Sequence, residues 1–593
     1  MPPVMQQIDA TREVKSVKSI MIQRTLDIMR GRILLRHVVA IAFLFEITLL
    51  FSLNLHSLIT IIPDDSFFYL IIARNFPGAL DFTFDGIHTT YGFQPLWQLC
   101  LLPLGALFQT PTRLLYATLI ACSALHVLSA WKLYRLLESL SGRLAAASGF
   151  AFWTFNPSII RWHWGAKENG LYAFLLLVVL VRMLGWIRHL GSNKDAIVSG
   201  VLLGLLVLAR VNFVLLCVIA VPTLIAARYH VHQRLLSRQG LRSIMISLVT
   251  CGLAAVPWFL WSMIHFNSAL PTSGLVKLES TKQSVEAAGI GWLSLQHFVL
   301  SLRRLPSYFD QSLKLASGPW GPVFMALAFW YLILGLIGTF HKSQLQHLTR
   351  GRASSWLVVL LALLALANSF ISALTLPDFL AYGQWYTVPE YIFLAVVFGL
   401  LAAPALIALR SNWPASAALI CSCLLSLVLW STQRARGIDF SLLESSAVRK
   451  GPHPNAMLLE VGLWANKHVS NKGMIGIWDP GIVSYFAQHG FVSLDPLMNS
   501  FSYFQDLRQD QIAYLKANNI SYVFGPAIPR GGGYDFFRLP EGSYQVIWVP
   551  FPNEDLGWSP DEVWRYTLIR PLGVSSDAFL TSSDFNFGEY LGG

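Results

Sequence analysis

Pro63-Asp64-Asp65-Ser66-Phe67-Phe68-Tyr69-Leu70-Ile71-Ile72-Ala73-Arg74-Asn75-Phe76 is the stretch on which the reading of this chain turns. Two adjacent carboxylates follow the first strongly apolar segment and open a short aromatic, amphipathic run. Capping that run as a helix takes one Asp, which accepts backbone N–H bonds and suits the positive helix end. A second acid beside Phe67, Phe68 and Tyr69 is harder to explain as a cap. A carboxylate held against apolar surroundings can act as a general base. Which of the two acids would do so stays open at this point.

The composition around that stretch is that of a membrane protein. Of 593 residues, 54% are hydrophobic and 13% are charged, with 20 Trp and 38 Phe. Ordinary soluble domains carry about 25% charged residues. A mean hydropathy of +0.52 over this length calls for several spans. The net charge of +11 does not argue for nucleic acid, because Lys and Arg sit in short clusters between apolar runs. That placement is the positive-inside bias. All six cysteines fall in apolar stretches before residue 430, so no disulfide framework is implied in the polar part beyond.

Residues 1–36 read as a basic cytoplasmic tail without a signal-peptide cleavage pattern. Eleven spans are then expected, at about 37–55, 113–131, 144–160, 170–187, 196–211, 213–227, 243–266, 319–340, 355–375, 389–409 and 415–431. The apolar run 95–108 is too short to span and is read as re-entrant or interfacial. With that choice every strongly basic turn falls on the cytoplasmic side. The first outer loop, 56–112, then lies outside with Asp64 and Asp65, and the membrane part runs over 37–432. Residues 433–593 hold no span. Strands are expected at 474–478, 491–494, 522–525 and 544–550, with helices at 455–468 and 506–518. That alternation predicts a small extracytoplasmic α/β domain. The fold class expected is a polytopic α-helical membrane protein with that domain at its C-terminal end.

Other polar residues fall on the same outer side. Glu168, with Lys167 and His163 close by, tops the fourth span, where a snorkelling anchor is the plain alternative. Arg210 closes the apolar run of the fifth span, and a charge there marks a site by default. Lys277 follows Pro271-Thr272-Ser273-Gly274 and is a further anion-binding candidate. Arg74 lies on the Asp65 helix itself, where a salt bridge or headgroup contact would also explain it.

The motifs in order resemble those of the GT-C superfamily of polytopic glycosyltransferases. They are Asp64-Asp65 ahead of Ser-Phe-Phe-Tyr-Leu-Ile-Ile-Ala-Arg-Asn, Phe84-Asp85-Gly86, Thr90-Tyr91-Gly92-Phe93-Gln94-Pro95-Leu96-Trp97, Lys167-Glu168-Asn169-Gly170-Leu171-Tyr172 and Gly204-Leu205-Leu206-Val207-Leu208-Ala209-Arg210. The resemblance covers about residues 37–430. It is nearest the branch of protein mannosyltransferases, aminoarabinose transferases and arabinofuranosyltransferases. Tyr91 and Gln94 depart from the Asn and His common at those places, and Gln384 stands before Trp385-Tyr386 where a basic residue is common.

The resemblance implies transfer of a sugar from a polyprenyl-phosphate donor to an extracytoplasmic glycan, lipid or protein, with inversion by a single displacement. Asp65 or Asp64 would take the acceptor proton, with Glu168 as a further catalytic acid. Arg210, Lys277, Lys167 and Arg74 would meet the donor phosphate. Tyr69, His88, Tyr91, Gln94, Trp97, His163, Gln384, Trp385 and Tyr386 would line the substrate. No cofactor is required; two acids could hold a divalent cation, but no ligand spacing demands one. The expected location is the inner membrane of a cell envelope, with the active face periplasmic. The competing classes are a lipid or sugar transporter or flippase, and a non-catalytic glycan-assembly protein. A transporter accounts for the spans but not readily for the paired acids or the polar tail, and no inverted repeat is visible.

Overall fold

The computed structural model describes residues 35–86, 88–189, 192–232, 238–292, 294–317, 352–375, 386–409, 454–468, 474–477, 480–487, 491–494, 510–518, 520–524, 544–548 and 568–572. The expected spans 319–340 and 415–431, and the tail up to residue 34, lie outside them. Helix α1 (Leu35–Ser52) belongs to a unit of its own, and everything from Leu53 onward forms a second.

The second unit is mostly helical: α2 (Leu55–Ile61), α3 (Asp65–Ala79), α4 (Pro95–Leu107), α5 (Pro111–Leu140), α6 (Arg143–Phe155), α7 (Pro157–His163), α8 (Asn169–Arg188), α9 (Asn193–Ala209), α10 (Phe213–His232), α11 (Arg238–Phe266), α12 (Thr272–Ala287), α13 (Leu295–Ser317), α14 (Arg352–Thr375), α15 (Val388–Leu409) and α16 (Pro454–His468). Among the described residues six helices are long and apolar enough to cross a membrane: α1, α5, α8, α10, α11 and α14. Helices α2 and α3 form a pair bent by 114° at the break before Asp65. Helix α4 has 13 residues, about 20 Å at 1.5 Å per residue, too short to cross.

One expectation needs correction. The span expected at 144–160 is broken at Asn156, whose side chain accepts from the Ser158 and Ile159 amides and starts α7 afresh, with Pro157 at its first position. An Asn-Pro pair stops one helix and caps the next, because the residue before Pro avoids helical geometry. Helices α12 and α13 occupy most of residues 267–317.

Between apolar helices the packing is close rather than hydrophobically driven. Gly200 and Gly204 lie one turn apart on α9, and a Cβ at either would strike α11, at Ser247 and Thr250 or at Cys251 and Ala254. Bare glycine is what lets those two backbones meet.

Beyond α16 the chain carries β1 (Met474–Ile477), α17 (Gly481–Ala487), β2 (Phe491–Ser493), α18 (Gln511–Ala517), β3 (Ile520–Phe524), β4 (Tyr544–Trp548) and β5 (Leu568–Pro571). The strands form one sheet in the order β2-β1-β3-β5-β4. β1 is parallel to β2 and β3, with Ile475 opposite Phe491 and Tyr522, while β5 runs antiparallel to β3 and β4. Strand β5 had no counterpart in the sequence reading. α16 and α17 pack on each other; α16 also packs on α2, and α17 on α3, where the Phe67 ring lies 5.2 Å from that of Tyr485 and 6.1 Å from that of Phe486.

Candidate active site

The site is built where α3, the turn before α8 and the end of α9 meet. α3 starts at Asp65, and Ser66 through Ala73 are all buried. Ser66 Oγ donates to the Gly165 carbonyl, and Trp97 Nε1 donates to the Ala166 carbonyl at 3.1 Å. Ala166 takes a left-handed conformation, φ 52°, in a fully buried turn. That geometry costs an L-residue about 1–2 kcal/mol and persists only where the surroundings enforce it. The next two residues, Lys167 and Glu168, follow directly from that turn.

Lys167 Nζ donates to Asp65 Oδ2 at 2.9 Å. Lys167 is buried, whereas 39% of the Asp65 side chain is exposed. Burial pushes the Asp65 carboxyl up, but the charges of Lys167 and Lys277 and the Lys167 hydrogen bond outweigh it and hold it below the ordinary carboxylate range.

Glu168 is part of a closed ring of contacts. Its Oε1 lies 3.4 Å from Arg210 Nη1, with both side chains nearly inaccessible. Tyr69 Oη donates to its Oε2 at 3.0 Å. The Gln94 amide donates to the same Tyr69 oxygen, and Gln94 Oε1 accepts from the Val211 amide, each at 3.1 Å. Val211 follows Arg210, which closes the circuit. Burial first, then the Glu168 charge, raises the Tyr69 phenol well above its ordinary value, so it stays a donor. Gln94, the departure noted in the sequence, therefore has a structural partner of its own.

Arg210 stacks over the Tyr386 ring, 4.3 Å to its centre, and Lys277 Nζ donates to Tyr386 Oη at 3.0 Å. Burial pushes this phenol up, yet Lys277 and Arg210 together bring it below its ordinary value. Asn368 Nδ2 donates to the Tyr386 carbonyl at 2.6 Å and to Glu390, which also accepts from Ser369 Oγ at 2.6 Å. Asn368, Ser369 and Glu390 were missed in the sequence reading. The available signal was an acid three residues into an apolar helix. Gln384 and Trp385 lie outside the described residues.

Several expected site residues have other partners. The Asp64 side chain makes no capping bond to its own helix; its Oδ2 and Oδ1 accept from the Gly481 and Ile482 amides at 3.0 and 2.7 Å. Arg74 Nη1 donates to the Tyr485 carbonyl at 2.9 Å, so the structure places it on α17 and not with Lys167 and Arg210. His163 is not at the cluster either. It is fully buried between His126, Trp153 and Trp162, and its Nδ1 faces the Ile159 carbonyl at 2.9 Å. Burial holds its pKa well below the ordinary value, so it stays neutral and is a poor phosphate ligand. Tyr91 stacks on Phe266 at 3.9 Å, and His88 faces Asp85 at 2.7 Å. Among the described residues no three His, Cys, Asp or Glu side chains gather to hold a metal ion.

A cavity of about 380 Å³ lies beside the far end of α3, lined by Arg74, Asn75, Asp85, Ser484 and Phe491. A second, of about 450 Å³, is lined by Arg182, Trp186 and Asp195. Arg182 stands about 20 Å along α8 from Glu168, so that cavity is remote from the charged cluster.

No protein-family model matches the chain, and no curated protein matches it in sequence. Solved structures do. ArnT from Cupriavidus metallidurans, crystallised with undecaprenyl phosphate, superposes with a TM-score of 0.51 at 14% identity, over 83% of this chain and 92% of that one. The oligosaccharyltransferase of Archaeoglobus fulgidus, crystallised with Zn and sulfate, gives 0.50 at 12% identity, over 82% and 67%. The chain has the fold of the GT-C polytopic membrane glycosyltransferases.

Proposed function

We propose that this chain is a membrane glycosyltransferase that moves a sugar from a polyprenyl phosphate to an extracytoplasmic glycan, lipid or protein. One observation carries the reading. A partly exposed carboxylate, Asp65, is paired to a buried lysine, Lys167, and lies within the field of Lys277, which shares Tyr386 with the buried Arg210. An acid able to reach an acceptor hydroxyl and cations able to meet a leaving phosphate are what a single displacement needs. Inversion at the anomeric carbon follows from that step.

In this reading Asp65 accepts the acceptor proton as the hydroxyl oxygen bonds to the anomeric carbon and the lipid phosphate leaves with the C–O bonding pair. Lys167, Lys277 and Arg210 take up the phosphate charge. The same lysines hold the Asp65 pKa down, so a bound phosphate that draws them away makes Asp65 more basic when the acceptor is in place. Glu168 holds Arg210 and Tyr69 in position. The apolar helices sit in the cell membrane with the N-terminal tail cytoplasmic, and residues 433–593 form an α/β domain on the outer, periplasmic face.

The test is sugar transfer by the full chain in lipid nanodiscs, with a panel of polyprenyl-phosphate sugars. Asp65→Asn should lower turnover by about 10²–10⁴-fold, the range for one general base, with the protein still monodisperse. Full activity in that variant would remove the base assignment. A single cysteine placed near position 500 should react with an impermeant reagent from outside the cell. Labelling only after lysis would overturn the orientation.

A further inference from the structure

The second acid of the pair has a task of its own. Asp64 has helical backbone angles, φ −55° and ψ −45°, and no side-chain bond to α3. Its carboxylate crosses instead to a segment 417 residues later, one oxygen to each of two successive amides. Gly481 sits so close that a Cβ there would strike both the Asp64 carbonyl and its Oδ2. The stretch on either side is held by the same distant part of the chain. Asn455 Nδ2 donates to the Ile59 and Ile62 carbonyls, at 3.2 and 2.9 Å, ahead of the pair. Phe67 packs on Tyr485 behind it, and Arg74 donates to the Tyr485 carbonyl. Tyr485 is itself anchored, donating to the Pro111 carbonyl at 2.7 Å.

We propose that Asp64 is a positioning residue: with Gly481 it latches residues 480–487 to the start of α3 and thereby fixes the neighbouring Asp65 carboxylate against Lys167. The inference rests on the reading of Asp65 as the base. It gives the two acids separate roles, one chemical and one mechanical, and makes the C-terminal part of the chain a component of the active site. The physical reason is the shared backbone. Asp64 and Asp65 are consecutive, so a rotation at Asp64 swings the Asp65 carboxylate. A displacement of about 1 Å at a reacting group can cost about 10²-fold in rate.

The test compares full-length Asp64→Ala, Asp64→Asn, Gly481→Ala and the double variant Asp64→Ala/Gly481→Ala in nanodiscs, with Asp65→Asn as reference. Asp64→Ala and Gly481→Ala should each lower kcat by about 10- to 100-fold and leave the donor KM within about twofold. Both should move the acid limb of the pH–rate profile in the same direction, because both loosen Asp65 from Lys167. The double variant should be no worse than the lower single one, since the two substitutions remove the same contact. Asp64→Asn keeps one accepting oxygen and should lose less.

Wild-type kcat and pH profile in Gly481→Ala would overturn the proposal. So would an Asp64→Ala variant as inactive as Asp65→Asn beside an unaffected Gly481→Ala, which would make Asp64 a chemical group. If Asp65→Asn keeps full activity, the base reading fails, while the latch is still decided by whether Asp64→Ala and Gly481→Ala fail together and without additivity. Hydrogen exchange needs no turnover. In Asp64→Asn the amides of 481–487 should exchange about tenfold faster, and unchanged exchange there would also overturn the latch.

Discussion

Replacing Lys167 with Met removes one charge from the candidate site and leaves the shape of the side chain nearly intact. Two unit charges 2.9 Å apart attract by about 6 kcal/mol at an effective dielectric of about 20. The Asp65 side chain is 39% exposed, so water screens much of this, and the expected effect is the about 1–3 pKa units typical of a close opposite charge. The sign follows from the depressed pKa. In the native site the Asp65 pKa is held below the ordinary carboxylate value, so the base form persists to lower pH than for a free carboxylate. Without Lys167, burial works against Lys277 and the backbone hydrogen bond at Asp65, and the pKa rises. The acid limb of kcat/KM should then move up by about 1–3 pH units. The assay is the initial rate of sugar transfer from about pH 2 to pH 8, with brief exposure at the acid end, so that both limbs can be compared. The amplitude will also fall if Lys167 meets the donor phosphate, so the position of the limb is the informative quantity. A limb that stays in place or moves to lower pH would refute the pairing as the cause of the shift. Stability should follow the same linkage: the pair contributes above the unfolded pKa of Asp65 and its contribution is lost as pH falls through the folded one.

Glu168→Gln keeps an oxygen for Tyr69 but leaves the buried Arg210 without its counter-charge. Breaking a buried pair costs about 3–5 kcal/mol, so the melting temperature followed by tryptophan fluorescence should fall clearly; no change would count against the ring of contacts. Tyr386→Phe keeps the ring beneath Arg210 and removes the oxygen that Lys277 meets. The donor KM should rise several-fold with kcat little changed, and an unaltered KM would separate Lys277 from donor binding. His163→Leu should transfer sugar at close to the wild-type rate, since the ring lies in an aromatic core; loss of activity in a folded variant would return it to the site. Asp85 raises the His88 pKa. That pair stabilises the first loop below the unfolded His value and releases it as pH rises through the folded one, so proteolysis near His88 should increase with pH, and in His88→Gln it should not.

The helical membrane part was legible because long apolar runs and basic turns leave few alternatives. The break at Asn156 was marked by the Asn-Pro pair, but an apolar window of span length hides a kink. The charged residues of the cluster were legible as candidates because an ionisable side chain beside an apolar run needs a reason. Their pairing was not. Lys167 and Glu168 are neighbours in sequence, yet one meets Asp65 and the other Arg210, and each contact depends on a segment brought close only by tertiary packing. The partner of Asp64 was out of reach for another reason: Gly481 is remote in sequence, and a glycine ahead of an apolar run carries no mark of a contact made in space.

Tyr386 bears on what the cluster is waiting for. Asp65 pairs with Lys167 and Glu168 with Arg210, while Lys277 donates to the Tyr386 phenol and acts on Asp65 through its charge. A phenol is a weak counterpart for an ammonium group, and its lowered pKa reports that this oxygen sits where negative charge is favoured. Arg210 adds to the same field through the ring face. A site that receives an anion gains from a neutral group that keeps the cations apart and oriented and then yields to the ligand's oxygen. In the proposed reading a donor phosphate would enter between Lys277 and Arg210, Tyr386 Oη would give up its hydrogen bond, and Lys167 would divide its charge between phosphate and Asp65.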